Sequence, residues 1–327
     1  MNTFVKNLVL AICLVAGITS CDTDIENIEI QTPFVGSDDY YANLRAYKQS
    51  DHQVAFGWFG GWNATGSVAS KYLSSVPDSV DFIGIWGNNW VIENMTPEKT
   101  ADMKYVQDVK GTKVLGTILL GWVGKMLPDQ EWPEDKHEAL RLYAQKLSEM
   151  VIAVGLQGLD IDYEPTVGGR DDVRDCPRGV DFEVFVEELG KYFGPQSGTG
   201  RLLVIDGEVE KVSANIGKYF DFAIAQAYYD SYGPANLQSR YNSVKNIFKP
   251  EQFIVTADFE RDWATGGMDY THPTLGKMPS LQGMAYWNPE EGRKGGCGTY
   301  HMEYEYNHTD VEYKYLRQAI QIMNPSK

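Results

Sequence analysis

Short apolar or alternating runs, rich in β-branched and aromatic residues, recur along the chain, and each predicts a strand. They begin near Gln53 (QVAFGWF), Val80 (VDFIGIW), Lys113 (KVLGTILLG), Gln157 (QGLDIDYE), Arg201 (RLLVID), Phe220 (FDFAIAQAYY), Gln252 (QFIVTADF) and Leu281 (LQGMAYW). Between them lie stretches with helical spacing. The clearest is Pro133 to Val154, with a proline and acids in the first turn and apolar Leu140, Tyr143, Ala144, Leu147, Met150 and Val151 three to four residues apart. Others cover Thr96 to Val109, Val180 to Phe193, Glu208 to Tyr219 and Leu237 to Ile247, and Thr309 is expected to cap a last helix reaching Met323. Residues 37 to 50 predict a further capped helix ahead of the first strand. Eight strand and helix alternations over roughly 270 residues predict an α/β fold, a (β/α)8 TIM barrel in a single domain. An open doubly wound sheet is the competing arrangement, but no GxGxxG follows a strand.

The amino terminus departs from this pattern. One Lys, Lys6, precedes an apolar stretch from Leu8 to Ile18 that is too short to span a bilayer as a mature helix, so residues 1 to 20 are expected to be an export signal. Ile18-Thr19-Ser20-Cys21 resembles the bacterial lipobox, which implies acylation of Cys21 as the first mature residue. Asp22, Asp24, Glu26 and Glu29 then make residues 21 to 36 an acidic tether. Such a stretch is similar to the surface-export signal of Bacteroides-type lipoproteins. The expectation is a barrel over residues 37 to 327, held at the bacterial outer membrane, surface-exposed, through a lipid anchor only.

Charge and composition narrow the partners. Asp and Glu number 45 against 29 Lys and Arg in 327 residues, a net charge of −16, so a polyphosphate backbone is repelled and nucleic acid is not expected. Aromatic residues reach 13%, with 20 Tyr and 8 Trp, an excess suited to a ligand met by flat, partly polar rings, such as carbohydrate. Cys13 and Cys21 belong to the amino terminus, leaving Cys176 and Cys297, in Gly- or Pro-containing segments expected to be loops, as either a disulfide or two free thiols. The five His form no HExxH or paired pattern, and no cofactor or structural metal is expected. Oligomeric state leaves no signature.

One strand concentrates the chemistry. In Leu159-Asp160-Ile161-Asp162-Tyr163-Glu164-Pro165, three carboxylates at spacing two share one face while Ile161 and Tyr163 take the other. Successive acids would lie about 6.6 Å apart along the strand, close enough in a low-dielectric interior for one to be held protonated by the others. Pro165 cannot donate to a ladder, so the strand should end there and leave Glu164 at the carboxyl end, where barrel enzymes keep their sites. Three acids also suit Mg²⁺ or Ca²⁺, although barrel metal sites usually draw ligands from several strands.

Gln157-Gly158-Leu159-Asp160-Ile161-Asp162-Tyr163-Glu164 resembles the DGxDxDxE strand-four signature of glycoside hydrolase family 18, the chitinases and endo-β-N-acetylglucosaminidases. The resemblance in strand order covers approximately residues 50 to 325. It implies that Glu164 is general acid and then base, that Asp162 orients the substrate's N-acetyl group, and that Asp160 supports Asp162. It also implies a retaining, substrate-assisted reaction through an oxazoline. The departure is Gln157, where the pattern has Asp; a change in the electrostatics beneath Asp160 is expected from it. On the sixth strand, Gln226-Ala227-Tyr228-Tyr229 resembles the endo-β-N-acetylglucosaminidase branch rather than the Met-x-Tyr-Asp of chitinases, which implies that Gln226 and Tyr228 contact the N-acetyl group. Met284-Ala285-Tyr286-Trp287-Asn288 resembles the last strand of the family, with Trp287 as a sugar-stacking floor. Trp58, Trp86 and Trp122 near strand ends, and Trp62, Trp90, Trp132 and Trp263 in following loops, are expected to help line a cleft. The leading expectation is cleavage of the GlcNAc-β1,4-GlcNAc core of N-glycans. A chitinase-like hydrolase of chito-oligosaccharides and a non-catalytic surface glycan-binding protein are the alternatives.

Overall fold

The computed structural model describes residues 36–127, 130–167, 172–175, 177–229 and 231–325. The anticipated export signal, Cys21 and nearly all of the tether lie outside the described residues, as do Cys176 and Asp230. The compact unit runs from Asp38 to Lys327.

Seven of the eight anticipated strands form where the apolar runs fall: β1 (Val54–Phe59), β2 (Phe82–Ile85), β3 (Lys113–Leu119), β4 (Gly158–Tyr163), β5 (Leu202–Gly207), β6 (Phe222–Gln226) and β7 (Phe253–Asp258). After β7 comes a small antiparallel hairpin, β8 (Asp269–His272) and β9 (Gly276–Pro279). The eighth barrel strand is β10 (Gly296–Tyr300), which pairs in parallel with both β1 and β7 and closes the ring. The strand anticipated at residue 281 is instead a helix, Ser280–Tyr286. The true strand, GCGTY, escapes an apolar pattern because two of its five residues are glycine. Those glycines are required by contact: a Cβ on Gly296 would lie 2.0 Å from the Val54 carbonyl oxygen, and one on Gly298 2.0 Å from that of Phe56. Cys297 sits between them as a fully buried free thiol on the strand, not in a loop.

Among the described residues the helices are α1 (Asp38–Lys48), α2 (Pro97–Asp108), α3 (Lys136–Val154), α4 (Val180–Leu189), α5 (Pro234–Val244), α6 (Phe259–Asp262), α7 (Ser280–Tyr286) and α8 (Lys314–Met323). Local chemistry sets their ends. Asp135 accepts from the Glu138 N–H at 2.9 Å and starts α3 a turn later than Pro133, and Gly155, at φ 90°, stops it. The cap of α8 is not Thr309 but a distant carboxylate: Glu305 accepts from the Tyr315 and Leu316 N–H groups. Residues 208–219 form two short 3-10 turns, Val209–Lys211 and Ala214–Tyr219, in place of the expected helix. Gly217 there runs against Ile247, whose carbonyl oxygen would be 2.4 Å from an added Cβ, so the segment packs against the connection between α5 and β7. Helix α1 lies across the amino ends of β2 and β3, with Lys48 Nζ donating to Val80 O at 2.7 Å and Thr112 Oγ1 at 2.8 Å.

Strand alternation divides the core in two. Outward residues such as Ile83, Ile118, Leu159, Ile161 and Ile205 pack with the helices in one large cluster. Inward residues Phe56, Trp58, Phe82, Leu115, Val204, Ile224 and Ile254 form a second cluster inside the barrel. Phe56 and Phe82 meet at 4.7 Å and Phe82 and Phe222 stack at 5.4 Å, which fills the lower barrel with rings. The polar site rests on this dry floor.

Gly298→Ala should destabilise the protein by about 3 kcal/mol, because overpacking against backbone cannot be relieved by a rotamer change. The midpoint of urea unfolding measures this; an unchanged midpoint would show that β10 does not approach β1 so closely.

Candidate active site

Strand β4 carries its acids up the inside of the barrel. Its register pairs Asp160 with Thr117 on β3 and Asp162 with Asp206 on β5. Asp160 is fully buried, and its Oδ2 accepts from Trp58 Nε1 at 2.8 Å and Thr117 Oγ1 at 3.0 Å. Asp162 sits one step higher, 3% exposed, and Glu164 follows the strand, half-buried at its mouth. Ile161 and Tyr163 face the helices; the Tyr163 ring meets Phe182 of α4 at 4.4 Å. Asp206, 1% exposed, joins them although it is not among the site residues expected from the sequence. Its Oδ2 accepts from Gln226 Nε2 at 2.7 Å, tying β5 to β6. The signal for it was an acid ending the otherwise apolar run RLLVID at the same height as Asp162.

These carboxyls cannot all be ionised. Asp160 Oδ1, Asp162 Oδ1 and Asp206 Oδ1 are buried with no ordinary donor. Asp160 and Asp206 act on each other, and two carboxyls held together in a dry interior favour a retained proton over two charges. Burial lifts Asp160 to about 6 despite its bonds from Trp58 and Thr117. It lifts Asp162 well above the usual carboxylate range, helped by the charges of Glu164 and Asp160. Asp206 is raised likewise, first by burial and then by Asp162 and Asp160. Glu164 is raised by burial and by Glu208, which follows β5. The arrangement therefore favours retained protons in the barrel throat and raises the proton affinity of the acid at its mouth.

The rim around them is aromatic. Tyr228 follows β6, shares a hydrogen bond with Thr256, and feels the charges of Asp206 and Asp162, which together with burial push its hydroxyl up. Its ring stacks on Tyr300 at 5.8 Å. Tyr300 ends β10, meeting Trp86 edge-on at 5.9 Å and Trp58 at 6.1 Å. Tyr300 and Trp86 thus wall the site, the former unseen in the sequence because β10 itself was.

Trp287 is elsewhere. It ends helix α7, is 6% exposed and packs against Phe253, the first residue of β7, at the opposite end of the barrel from Glu164. It is core, not a sugar floor, because the segment taken for the last strand is helical. Trp62 and Trp90 are also fully buried, with their N–H groups donating to Asp102 Oδ2 and Thr117 O. Trp132 and Trp263 pack on the outer cluster, and Trp122 is 42% exposed. Gln157 immediately precedes β4, on the side opposite to Asp160 by strand alternation, and its Oε1 is buried with no hydrogen-bond partner among the described residues. Among the described residues, no three His, Cys, Asp or Glu side chains are arranged to hold a metal ion.

The shifts set a pH dependence. Each buried acid holds its proton more tightly folded than unfolded, so its contribution to stability is full below pH 4 or so and fades as pH rises through about 6, the value of Asp160. The thermal midpoint should fall between pH 5 and pH 8. Asp206→Asn, which keeps an acceptor for Gln226 but cannot ionise, should make that fall smaller; an equal or steeper fall would mean that Asp206 is not part of the protonated cluster.

Residues 19–322 match the family model described as glycoside hydrolase family 18, BT1044-like. Endo-beta-N-acetylglucosaminidase F2 of Elizabethkingia meningoseptica is 27% identical over 310 residues, covering 87% of this chain and 85% of that one. Among solved structures, a Glu-to-Gln variant of BT1044 in selenomethionine form superposes with a TM-score of 0.77 at 30% identity, over 88% of this chain and 93% of that one. The apo endo-beta-N-acetylglucosaminidase of Cordyceps militaris shares the fold, with a TM-score of 0.65 at 22% identity, over 89% of this chain and 98% of that one. With its closed eight-stranded barrel and its acids on β4, the chain belongs to glycoside hydrolase family 18, in the BT1044-like group.

Proposed function

We propose that the protein is an endo-β-N-acetylglucosaminidase that cuts the GlcNAc-β1,4-GlcNAc core of N-glycans with retention. The observation that carries this reading is the ladder Asp160, Asp162, Glu164, rising from a buried proton-holding cluster to a raised acid at the mouth, with Gln226 and Tyr228 beside it. The likeness to endo-beta-N-acetylglucosaminidase F2 supports the same branch.

In this mechanism the Glu164 carboxyl gives its proton to the departing glycosidic oxygen while the acetamido oxygen of the same sugar bonds to the anomeric carbon. An oxazolinium forms, and the leaving GlcNAc stays on Asn. Asp162 accepts from the acetamido N–H and stabilises the positive charge that develops there. Asp160 and Asp206 give the cluster a place to keep a proton while Asp162 is anionic. Glu164, now a carboxylate, takes a proton from the water that opens the ring. Two displacements at one carbon restore the original configuration. Burial and the charge of Glu208 raise the affinity of Glu164 for its proton, the direction that a general acid needs.

Incubated with high-mannose and complex-type glycoproteins, the enzyme should release glycans ending in one reducing GlcNAc and leave one GlcNAc on Asn, by mass spectrometry. Glu164→Gln should lower kcat by at least ~10²-fold while glycan binding persists; unchanged turnover would remove Glu164 from the role of acid. Residues 18–21 support acylation of Cys21, and the acidic stretch Asp22, Asp24, Glu26 and Glu29 supports an outer-membrane, surface-exposed location. In the bacterial host, Cys21→Ser should abolish incorporation of radiolabelled palmitate and partition into detergent; retention of both would exclude the anchor.

A further inference from the structure

Strand β5 ends in Asp206-Gly207, and the next residue is a second acid, Glu208. The ladder between β4 and β5 pairs Tyr163 with Gly207 and runs one hydrogen bond further, from Glu208 N–H to Tyr163 O at 2.9 Å. Glu164 and Glu208 therefore leave the sheet side by side, each the first residue beyond its strand.

Contact fixes this placement. Gly207 has φ 82°, and a Cβ there would lie 2.8 Å from Tyr163 O and 2.9 Å from Asp162 Oδ1, so the end of β5 is pressed onto β4 at the height of the acids. Val209, 3% exposed, pins the 3-10 turn Val209–Lys211 to the outer core. That turn carries Lys211 back to Glu208: its N–H donates to Glu208 O at 3.0 Å and its ammonium donates to Glu208 Oε1. Glu208 Oε2 is buried with no hydrogen-bond partner among the described residues. The structure thus brings a second carboxylate to the mouth of the barrel and employs one of its oxygens.

The other polar groups around Glu164 are accounted for. Asp162 on its own strand and Asp206 on β5 are buried acids whose proton affinity is itself raised. Arg178, ahead of α4, spends its guanidinium on Pro165 O at 2.5 Å. Tyr228, after β6, keeps its proton and carries no charge. Besides burial, what raises the proton affinity of Glu164 is the charge of Glu208. The half-exposed Lys211 ammonium offsets that charge only in part, because solvent screens it.

We propose that Glu208 is a positioning residue that acts through Glu164: its negative charge, fixed beside the acid, favours the protonated form over the carboxylate, and Lys211 sets how strongly. The same charge opposes the carboxylate left on Glu164 after the glycosidic oxygen has taken the proton, and so favours recovery of a proton from the attacking water. The proposal rests on the endoglycosidase reading for the task of that proton, but not for the coupling of the two side chains.

The pH profile of kcat/KM for glycan release tests it. Glu208→Gln keeps the size and removes the charge, so Glu164 should lose its proton at lower pH. On the alkaline limb kcat/KM should fall by about threefold or more, with the plateau and acid limb held within about twofold. The acid limb is spared because Glu208 is not among the groups that raise Asp160 and Asp162. Glu208→Asp should restore much of the alkaline limb, and Lys211→Met should raise it. An equal loss at every pH overturns the proposal, since a sugar contact or a purely structural role would act alike on both limbs. Carbon-13 NMR of labelled glutamate carboxyls reads the coupling without substrate, the Glu164 signal being the one lost in Glu164→Gln. Its titration midpoint should move down in Glu208→Gln and up in Lys211→Met. If the parent enzyme releases no glycan, the hydrolase reading fails, while these opposite movements still uphold the coupling. A midpoint unmoved by Glu208→Gln overturns it, and where that variant does not fold, a midpoint unmoved by Lys211→Met does so.

Discussion

Three carboxyls stacked in the throat of a closed barrel, on a floor of Phe and Ile side chains, can persist only if protons are held among them. Asp160, Asp162 and Asp206 all lie below 4% exposure with an oxygen that no ordinary donor reaches. Full ionisation would put like charges side by side in a low-dielectric interior, at a cost of several kcal/mol per uncompensated ion. The surroundings meet this constraint in two ways. Trp58 and Thr117 give Asp160 two donors from below, and Gln226 gives Asp206 one from the side. The remaining demand is met by retained protons.

The fold supplies the direction. In a closed parallel barrel every strand points its alternate residues to one axis and its carboxyl end to one face, so acids two apart on β4 necessarily climb toward that face. The ring-filled lower layer, with Phe56, Phe82 and Phe222 in contact, keeps water from beneath Asp160 and sustains the raised proton affinities above. Stability and chemistry are opposed here: the desolvation that makes Glu164 and Asp162 poor carboxylates also makes the native state intolerant of high pH.

The aromatic excess has two destinations. Trp62, Trp90 and Trp287 are buried structural residues, and the first two spend their N–H groups on protein acceptors. Only a subset turns to the site face, with Tyr228, Tyr300 and Trp86 forming its wall and His301 and Tyr304 extending it. Composition therefore pointed to carbohydrate without indicating which rings meet it.

The barrel, the direction of Asp160, Asp162 and Glu164, and the placement of Gln226 and Tyr228 at one strand end were all legible in the sequence, because alternation at period two and a strand-ending proline are local rules. What local rules could not supply was the eighth strand. Residues 281–287 read as apolar and strand-like, but they form a helix, while the glycine-rich 296–300 closes the barrel because its backbone must approach Val54 and Phe56. That decision is made by contacts more than 200 residues apart; it leaves Trp287 in the core and brings Tyr300 to the wall of the site. Asp206 likewise became part of the site only through its register with Asp162. The helix cap of Glu305 and the hydrogen bond between Glu303 and His301 depend on the same closure. The sequence by itself determined the strand period and the ladder of acids, since both reside within a few consecutive residues. Tertiary structure alone decided which side chains from separate strands meet, since that follows from how the ring closes.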